Sequence, residues 1–311
     1  MERNLSIDIL KVILAIAVVF LHTRIFYDLS TLLSHVFVQG IFRLAVPIFL
    51  VITGYYFFYI NSLQRYKIWL KRIFILYAVW MIFYLPIWWT QSFSYNFSVL
   101  YNGYYVLWYI QGVLLGGSVL YFCRAINAKK LFIGSAVLFL FGVMLQQVGN
   151  LHLFQGQIDT ELNTYTVHRN FLWVSFPFLT LGFLLNKCQD TVKNKIKIKL
   201  LHVIVVVFLV IVESLANYFF ISRKESLDQM FSLFIAAPII FLYFLNKKIL
   251  GTNKALASLS TAIFLIHPFF IYHLKGYFLN QQTLFSLVVL ACSIFAGLIL
   301  LQMNKKLKYL L

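Results

Sequence analysis

Apolar residues run through this chain in long stretches that short polar segments separate. Each stretch holds about 20 residues, enough for a helix to cross roughly 30 Å of hydrocarbon. The composition agrees, because 62% of the residues are apolar and the mean hydropathy is +0.86, too apolar for a soluble enzyme. The pattern predicts an all-α fold, a polytopic integral membrane bundle of ten transmembrane helices, at approximately 7–28, 36–60, 68–89, 104–122, 131–149, 168–186, 199–220, 229–245, 257–273 and 283–303.

Basic residues alternate with these spans in a way that indicates an orientation. Twenty of the 26 Lys and Arg fall at span ends on the side of the N-terminus. Five fall on the other side, and Arg43 lies inside a span. By the positive-inside rule, we expect both termini in the cytoplasm. The net charge of +17 therefore reflects membrane orientation, and we expect no binding of nucleic acid.

The N-terminal run does not look like a cleaved signal peptide, and the cysteines do not look like a disulfide framework or a metal site. The first run follows Arg3 and Lys11 and lacks a small-residue cleavage pattern, so we expect it to be a retained helix. The three cysteines, Cys123, Cys188 and Cys292, show neither a disulfide framework nor metal-ligand spacing. We therefore expect no metal.

The stretch from Ile41 to Gly54, IFRLAVPIFLVITG, carries Arg43 and, one helical turn later, Pro47. An arginine in hydrocarbon costs between ~3 and ~15 kcal/mol, so we expect it to face protein or water. Because Pro47 has no N–H for the carbonyl of Arg43, we expect the helix to bend there, beside a polar cavity. The alternative is an arginine that snorkels to an interface.

Three further ionisable groups are expected inside the membrane. His22 lies 14 residues beyond Asp8, roughly 21 Å along a helix, and Glu213 lies 14 residues beyond Lys199, so both fall in the outer half. His267 falls near the middle or slightly beyond. A lone buried histidine is more often structural than catalytic, and a carboxylate at this depth is expected to be protonated or paired. Their convergence with the intramembrane arginine predicts a polar site.

Polar residues also cluster at both ends of the spans. Arg169 and Asn170 lie at the outer end of the sixth span, where they form either a headgroup anchor or part of a binding site, and Trp108 lies at the outer end of the fourth. At the cytoplasmic ends, a group of basic residues orients the chain, meets anionic lipid or binds an anionic ligand. These residues are Arg3, Lys11, Arg65, Lys67, Lys71 and Arg72.

Five sequence motifs of this chain resemble those of the membrane acyltransferase-3 family. They are RNLSIDILK with FLH in the first span, RLAVPIFLVITG in the second, LWYI in the fourth, RNFLWVSFPFLTLGF in the sixth and FLIHP in the ninth. The similarity covers nearly the whole chain in the family's order. The RNFLWVSFPF stretch looks closest to the branch with the enterobacterial-common-antigen O-acetyltransferase and the membrane domain of vancomycin-resistance serine racemases. Thr53 departs from the serine that commonly precedes the glycine.

The resemblance implies a membrane-bound O-acyltransferase. Such an enzyme takes an acetyl group from cytoplasmic acetyl-CoA, the expected donor, to a hydroxyl of a glycan or lipid-linked sugar. The acceptor is expected at the outer face of the bacterial cytoplasmic membrane. Residues 1–311 are expected to form one acyltransferase-3 domain, without the hydrolase-like or racemase domain appended in some relatives.

Acyl transfer from a thioester needs a base and a positive group near the developing oxyanion. His22 is the expected base or, alternatively, an acyl carrier, and Arg43 is expected to stabilise the thioester oxygen or orient the pantetheine arm. His267 and Glu213 are expected to orient the acceptor or tune His22. The basic residues at the cytoplasmic ends are expected to meet the CoA phosphates. The expected acceptor-binding residues are Arg169, Asn170 and Trp108.

Two other classes also account for polar groups inside a membrane. A carrier for a small polar solute such as an amino acid would bind its solute without acetyl-CoA and leave it chemically unchanged. A receptor or scaffold without turnover is the third class. Membrane lipids are expected partners in every case, and self-association into a homo-oligomer is left open.

Overall fold

The computed structural model describes residues 3–189, 197–307 and 309–311, and these residues are mainly helical. One antiparallel pair of two-residue strands accompanies the helices. The elements are β1 (Arg3–Asn4), α1 (Leu5–Thr23), α2 (Thr31–His35), α3 (Ala45–Phe57), α4 (Leu63–Phe83), α5 (Leu85–Trp88), α6 (Phe93–Asn102), α7 (Trp108–Cys123), α8 (Ala128–Asn150), α9 (Gln157–Leu162), α10 (Tyr165–His168), α11 (Phe176–Lys187), α12 (Leu200–Phe220), α13 (Phe231–Lys247), β2 (Leu250–Gly251), α14 (Ala255–Leu274) and α15 (Gln282–Asn304).

Six helical segments of the described chain are long and apolar enough to cross a membrane. They are Leu5–Thr23, Thr31–Phe57, Ala128–Asn150, Leu200–Phe220, Ala255–Tyr277 and Gln282–Asn304. Two shorter apolar helices, α7 and α13, also coincide with predicted spans. The all-helical class is therefore confirmed, together with six candidate spans.

The remaining two predicted spans, 68–89 and 168–186, do not coincide with a helix of this kind, and the local sequence explains each case. The first half of α4 carries Arg65, Lys67, Lys71 and Arg72, which lower its apolar character. The span predicted at 168–186 divides into a π-helical turn at Phe171–Ser175 and the 12 residues of α11. A count of ten spans and the cytoplasmic position of the termini stay predictions.

The chain around Arg43 departs from regular α-helix, as the proline nearby predicts. After α2 it forms a π-helical turn at Val36–Gly40 and a 3-10 turn at Ile41–Leu44, and only then α3. Pro47 lies in the first turn of α3, where a missing N–H leaves no intrahelical bond unmade. Arg43 therefore projects from an irregular helical segment.

The chain forms two compact units. The first contains Met1–Val38, Lys71–Gln111 and Phe244–Leu311. Within it, α1 packs against α14 and α15, and β1 pairs with β2. The second contains Gln39–Leu70 and Gly112–Tyr243, and within it α11 packs against α3 and α8.

Two glycines let α3 and α11 approach until their backbones touch. A Cβ atom at Gly54 would lie 2.0 Å from the carbonyl oxygen of Leu179. A Cβ atom at Gly182 would lie 2.0 Å from the carbonyl oxygen of Val51. Small residues at helix crossings are typical of membrane proteins, where close backbone packing replaces the hydrophobic effect between helices. This contact explains why the RLAVPIFLVITG stretch ends in a glycine.

We expect Gly54→Ala to lower the free energy of unfolding by about 1–3 kcal/mol, because the added methyl group meets backbone that cannot move aside. Gly134→Ala on α8 is the matched control, since a Cβ atom there has no neighbour within 4 Å. Thermal unfolding of both variants in the same detergent makes the comparison. Equal stability would contradict the backbone contact between α3 and α11.

Candidate functional site

The first unit brings two of the predicted site residues together. His22 lies in the last turn of α1 and is partly buried, and His267 lies on α14 and is fully buried. Their rings stack with centroids 5.5 Å apart and an interplanar angle of 29°. The ring of Tyr105 lies 4.8 Å from that of His22 on a tilted plane. Residues 22 and 267, distant in sequence, thus form one imidazole pair.

The hydrogen bond of His267 identifies its tautomer. Its Nδ1 lies 3.2 Å from the carbonyl oxygen of Ile263. A carbonyl oxygen can only accept, so Nδ1 carries the proton and Nε2 of the neutral ring holds a lone pair. Within the described residues, this buried Nε2 has no hydrogen-bond partner. A buried acceptor of this kind is complementary to a donor such as a hydroxyl.

Tyrosines hold α14 in place beside the imidazole pair. The hydroxyl of Tyr84 donates to the carbonyl oxygen of Leu265, two residues before His267, at 2.7 Å. The ring of Tyr104 lies 5.3 Å from that of Tyr84 and 6.1 Å from that of Tyr105. Because Tyr84 is fully buried, this bond fixes the position of α14 along its axis next to His267.

The second unit contains an ion-pair cluster around one carboxylate. Asp228 pairs through Oδ1 with Nη1 of Arg43 and through Oδ2 with Nε of Arg169, the latter at 2.5 Å. Nδ1 of His168 lies 3.5 Å from the same Oδ2. The side chains of Arg43, Arg169, His168 and Asp228 are 9%, 18%, 3% and 7% exposed. Two predicted site residues, Arg43 and Arg169, therefore share one buried carboxylate.

Neutral oxygen atoms complete the contacts of the two arginines. The hydroxyl of Ser226 accepts from Nη2 of Arg43 at 3.0 Å and of Arg169 at 3.2 Å, and it donates to Asp228 at 3.1 Å. The side-chain oxygen of Gln39 accepts from Arg43 and from the backbone N–H of Leu227. Arg43 is thus held by both Ser226 and Gln39, and Arg169 is held by Ser226.

The loop that presents Asp228 is held by α8. The side-chain oxygen of Gln146 accepts from the backbone N–H groups of Asp228 and Gln229, at 2.7 and 2.9 Å. Its nitrogen donates to the carbonyl oxygen of Gln229 at 2.8 Å, and Asn150 donates to that of Ser226 at 3.3 Å. These bonds satisfy buried backbone groups and give the carboxylate one defined position.

Electrostatics keep Asp228 ionised. Burial by itself raises the pKa of this carboxyl, but the charges of Arg169 and Arg43 outweigh it and hold the pKa well below its ordinary value. The carboxylate therefore carries a full negative charge at neutral pH, and it compensates one of the two guanidinium charges.

Two predicted site residues make helix-capping contacts instead of joining either cluster. The Glu213 carboxylate accepts from the backbone N–H groups of Phe231 and Ser232, at 2.7 and 2.8 Å, at the start of α13. The Asn170 side chain accepts from the backbone N–H groups of Leu172 and Trp173, at 2.9 and 3.1 Å. Both contacts satisfy free N–H groups at helix N-termini, which accounts for these residues without chemistry.

The predicted donor-binding residues lie mostly on one helix. Four exposed basic side chains follow one another along the first half of α4, at Arg65, Lys67, Lys71 and Arg72. Lys11 lies on α1 and is partly buried, and Arg3 lies in β1 with its side chain outside the described part of the structure. Trp108, the first residue of α7, is also partly buried.

Sequence reasoning missed Asp228, the carboxylate on which the second cluster depends. It lies in the short polar segment before α13, which reads as an ordinary loop. The signal was the pair of arginines, because two cations with few routes to water require an anion. The hydropathy pattern could not show which acidic residue pairs with the two arginines.

The comparisons with known proteins decide the family. The acyltransferase-3 family model, described as an acyltransferase domain, matches residues 4–303. The chain belongs to the acyltransferase-3 family. This confirms the resemblance drawn from the motifs, and together with the apolar helices it makes this acyltransferase-3 protein a multi-pass membrane protein.

Relatives of this acyltransferase-3 protein include much longer proteins. An amino-acid racemase of Enterococcus faecalis is 28% identical over an alignment of 339 positions, which covers 99% of this chain and 47% of the racemase. A serine/alanine racemase of Enterococcus gallinarum is 27% identical over 317 residues, 90% of this chain and 42% of the racemase. This chain therefore spans less than half the length of either relative. No solved structure matches it significantly.

We expect Asp228→Ala to lower the free energy of unfolding by about 3–5 kcal/mol, because it leaves two largely buried guanidinium groups without their carboxylate. Glu225→Ala is the control on the same loop, since that carboxylate is 31% exposed and lies 3.8 Å from His152, and we expect it to cost less than about 1 kcal/mol. Thermal unfolding in detergent measures both. Equal costs would show that the cluster does not stabilise the fold.

Proposed function

We propose that this protein is a membrane-bound O-acetyltransferase that moves an acetyl group from acetyl-CoA to a hydroxyl of a glycan or lipid-linked sugar. Family membership supports acyl transfer in general. The observation that carries the finer proposal is the imidazole pair, in which a partly buried His22 stacks on a fully buried His267. One ring is thus partly exposed, while the other is held in a single tautomer.

His22 acts as the general base in this proposal. Its imidazole takes the proton of the acceptor hydroxyl as the oxygen attacks the thioester carbonyl carbon. The tetrahedral intermediate then collapses, the carbon–sulfur bond breaks, and the departing CoA thiolate takes the proton from the imidazolium. The products are an acetyl ester and CoA, and His22 returns to its neutral form.

His267 is a positioning residue in this mechanism. Its Nδ1–H is committed to the Ile263 carbonyl oxygen, so its Nε2 lone pair is available to accept a hydrogen bond from the acceptor or from His22. Either bond would orient the proton that is transferred. The Tyr84 contact with Leu265 supports this role, because it anchors the helix next to the ring.

Exposed charge on α4 supports acetyl-CoA as the donor. Arg65, Lys67, Lys71 and Arg72 present four cations within about two helical turns, and CoA carries phosphates that such a surface attracts. The proposal places these residues at the cytoplasmic face of the bacterial inner membrane and the acceptor at the opposite face. The predicted role of Arg43 at the thioester oxygen stays a prediction.

Amino-acid carriage is a second candidate function. The relatives named amino-acid racemase and serine/alanine racemase favour it, because the first name refers to amino acids and the second to serine and alanine. In that case the imidazole pair would bind a solute and no acetyl group would move.

We expect His22→Ala to lower acetyl transfer by about 10²–10⁴-fold, because removal of a general base costs that much. The measurement follows radiolabel from acetyl-CoA to a mixture of glycan acceptors, with purified protein in nanodiscs. His273→Ala, at an exposed histidine of the same helix α14, is the control and should keep wild-type activity.

Full activity in His22→Ala would exclude His22 as the base. If the wild-type protein neither binds nor consumes acetyl-CoA but binds serine or alanine, the carrier replaces the transferase. Elution profiles in size-exclusion chromatography must match between variants, so that a loss of activity reports chemistry and not folding.

A further inference from the structure

Tyr105 occupies a backbone conformation that its residue type rarely adopts. Its φ is +49°, in the left-handed region. The N–H of Leu107 donates to the carbonyl oxygen of Tyr104 at 2.8 Å, which closes a β-turn with Tyr105 at the first central position. Turns with a positive φ at that position are dominated by Gly, Asn and Asp, because the backbone crowds a bulky side chain there. Tyrosine is therefore an unfavourable residue for the turn itself.

A glycine two residues earlier shows what the backbone of this segment prefers. Gly103 follows α6 with a φ of +85°, and a Cβ atom there would lie 2.6 Å from the backbone carbon of Leu107. The chain thus has a glycine at one positive-φ position of this segment and a tyrosine at the other. Strained residues persist only where their surroundings hold them, and they cluster at functional sites. The tyrosine therefore needs a reason outside the turn.

The contact of its side chain supplies that reason. The ring of Tyr105 lies 4.8 Å from that of His22, which also stacks on His267. Because φ is the rotation about the N–Cα bond, it sets the direction in which the side chain leaves the preceding peptide. A negative φ would turn the Tyr105 ring away from its present position. The left-handed conformation is therefore what brings the ring onto His22.

The neighbouring residue of the same turn contacts the support of the second imidazole. The ring of Tyr104 lies 6.1 Å from that of Tyr105 and 5.3 Å from that of Tyr84. The hydroxyl of Tyr84 donates to the carbonyl oxygen of Leu265 on α14, close to the other imidazole. One turn thus packs against α1 through Tyr105 and, through Tyr104 and Tyr84, is connected to α14.

We propose that Tyr105 is a positioning residue, whose ring holds the imidazole of His22 in the orientation that takes the acceptor proton. The role of His22 as the base comes from the proposed function, on which this inference rests. A base acts through one nitrogen atom at hydrogen-bond distance from the proton, so a small displacement is costly. Since His22 lies in the last turn of α1 and is only partly buried, a ring packed against it limits its movement.

Two substitutions separate the ring from the backbone conformation. Tyr105→Phe keeps the ring and removes only the hydroxyl. Tyr105→Asn removes the ring and keeps the turn, because asparagine tolerates the left-handed region. The matched control is Lys248→Asn, at an exposed residue of the same unit with a φ of +48°. Lys248 precedes Ile249, whose carbonyl oxygen accepts from Leu5 at the start of α1, roughly 25 Å along that helix from His22.

Chemical modification tests the contact without acetyl-CoA or an acceptor. Diethyl pyrocarbonate acylates neutral imidazoles. Peptide mass spectrometry on the full chain in phosphatidylcholine nanodiscs gives the rate at His22 relative to the exposed His273. We expect Tyr105→Asn to speed the modification of His22 several-fold, because the ring no longer covers the imidazole. Tyr105→Phe and Lys248→Asn should react as the wild type does.

Kinetics test whether the contact serves transfer. We expect Tyr105→Asn to lower kcat by about 10–100-fold, because a misplaced base costs that much, and to leave the KM for acetyl-CoA unchanged. Tyr105→Phe and Lys248→Asn should keep the wild-type kcat. Because the Tyr105 side chain is 39% exposed, the unfolding temperature of Tyr105→Asn should stay close to that of the wild type. If this variant does not fold, Tyr105→Gly, which adopts a positive φ without steric cost, replaces it in both measurements.

An unchanged modification rate at His22 in Tyr105→Asn would overturn the proposal whatever the kinetics show. A wild-type kcat in that variant would overturn it as well, because the contact would then have no part in transfer. An equal loss of kcat in Tyr105→Phe would assign the effect to the hydroxyl and also reject the role of the ring. If the wild type transfers no acetyl group, faster modification in Tyr105→Asn keeps the contact with His22 and rejects the proposed function alone.

Discussion

An ionised group that has little contact with water needs a partner of opposite charge, and in this protein Asp228 meets that need for two arginines at once. Its carboxylate joins the irregular segment that carries Arg43 to the segment that carries Arg169. Ser226 and Gln39 then complete the arginine contacts, and Gln146 fixes the loop. Without the carboxylate, these two largely buried guanidinium groups would lose the counterion that they share.

The imidazole pair also avoids an unpaired buried charge, but it does so without an ion pair. His267 is fully buried, and its ring satisfies Nδ1 with the carbonyl oxygen of Ile263 one helical turn away. A neutral ring avoids the cost of a buried charge and keeps a lone pair on Nε2. The two units thus offer different chemistry: one holds a proton acceptor beside a second imidazole, and the other holds two arginines paired with one carboxylate.

The relatives show why family and function must be kept apart. The acyltransferase-3 match covers residues 4–303, whereas the racemase names belong to proteins of which this chain covers less than half. A fold can host several activities, so a function is argued from its site. Here the site arguments rest on the tautomer of His267 and on the ion pairs of Asp228 with Arg43 and Arg169.

The sequence by itself determined the helical membrane class, the family and the rare polar residues His22, Arg43 and His267. These properties are local, because runs of apolar residues and an ionisable group within them can be read without knowing the neighbours. Only the tertiary structure decided the partners. Asp228 lies 185 residues from Arg43, and the capping contacts of Glu213 and Asn170 depend on how nearby backbone is placed. Pairing of distant segments follows from packing, and packing has no local signature in the chain.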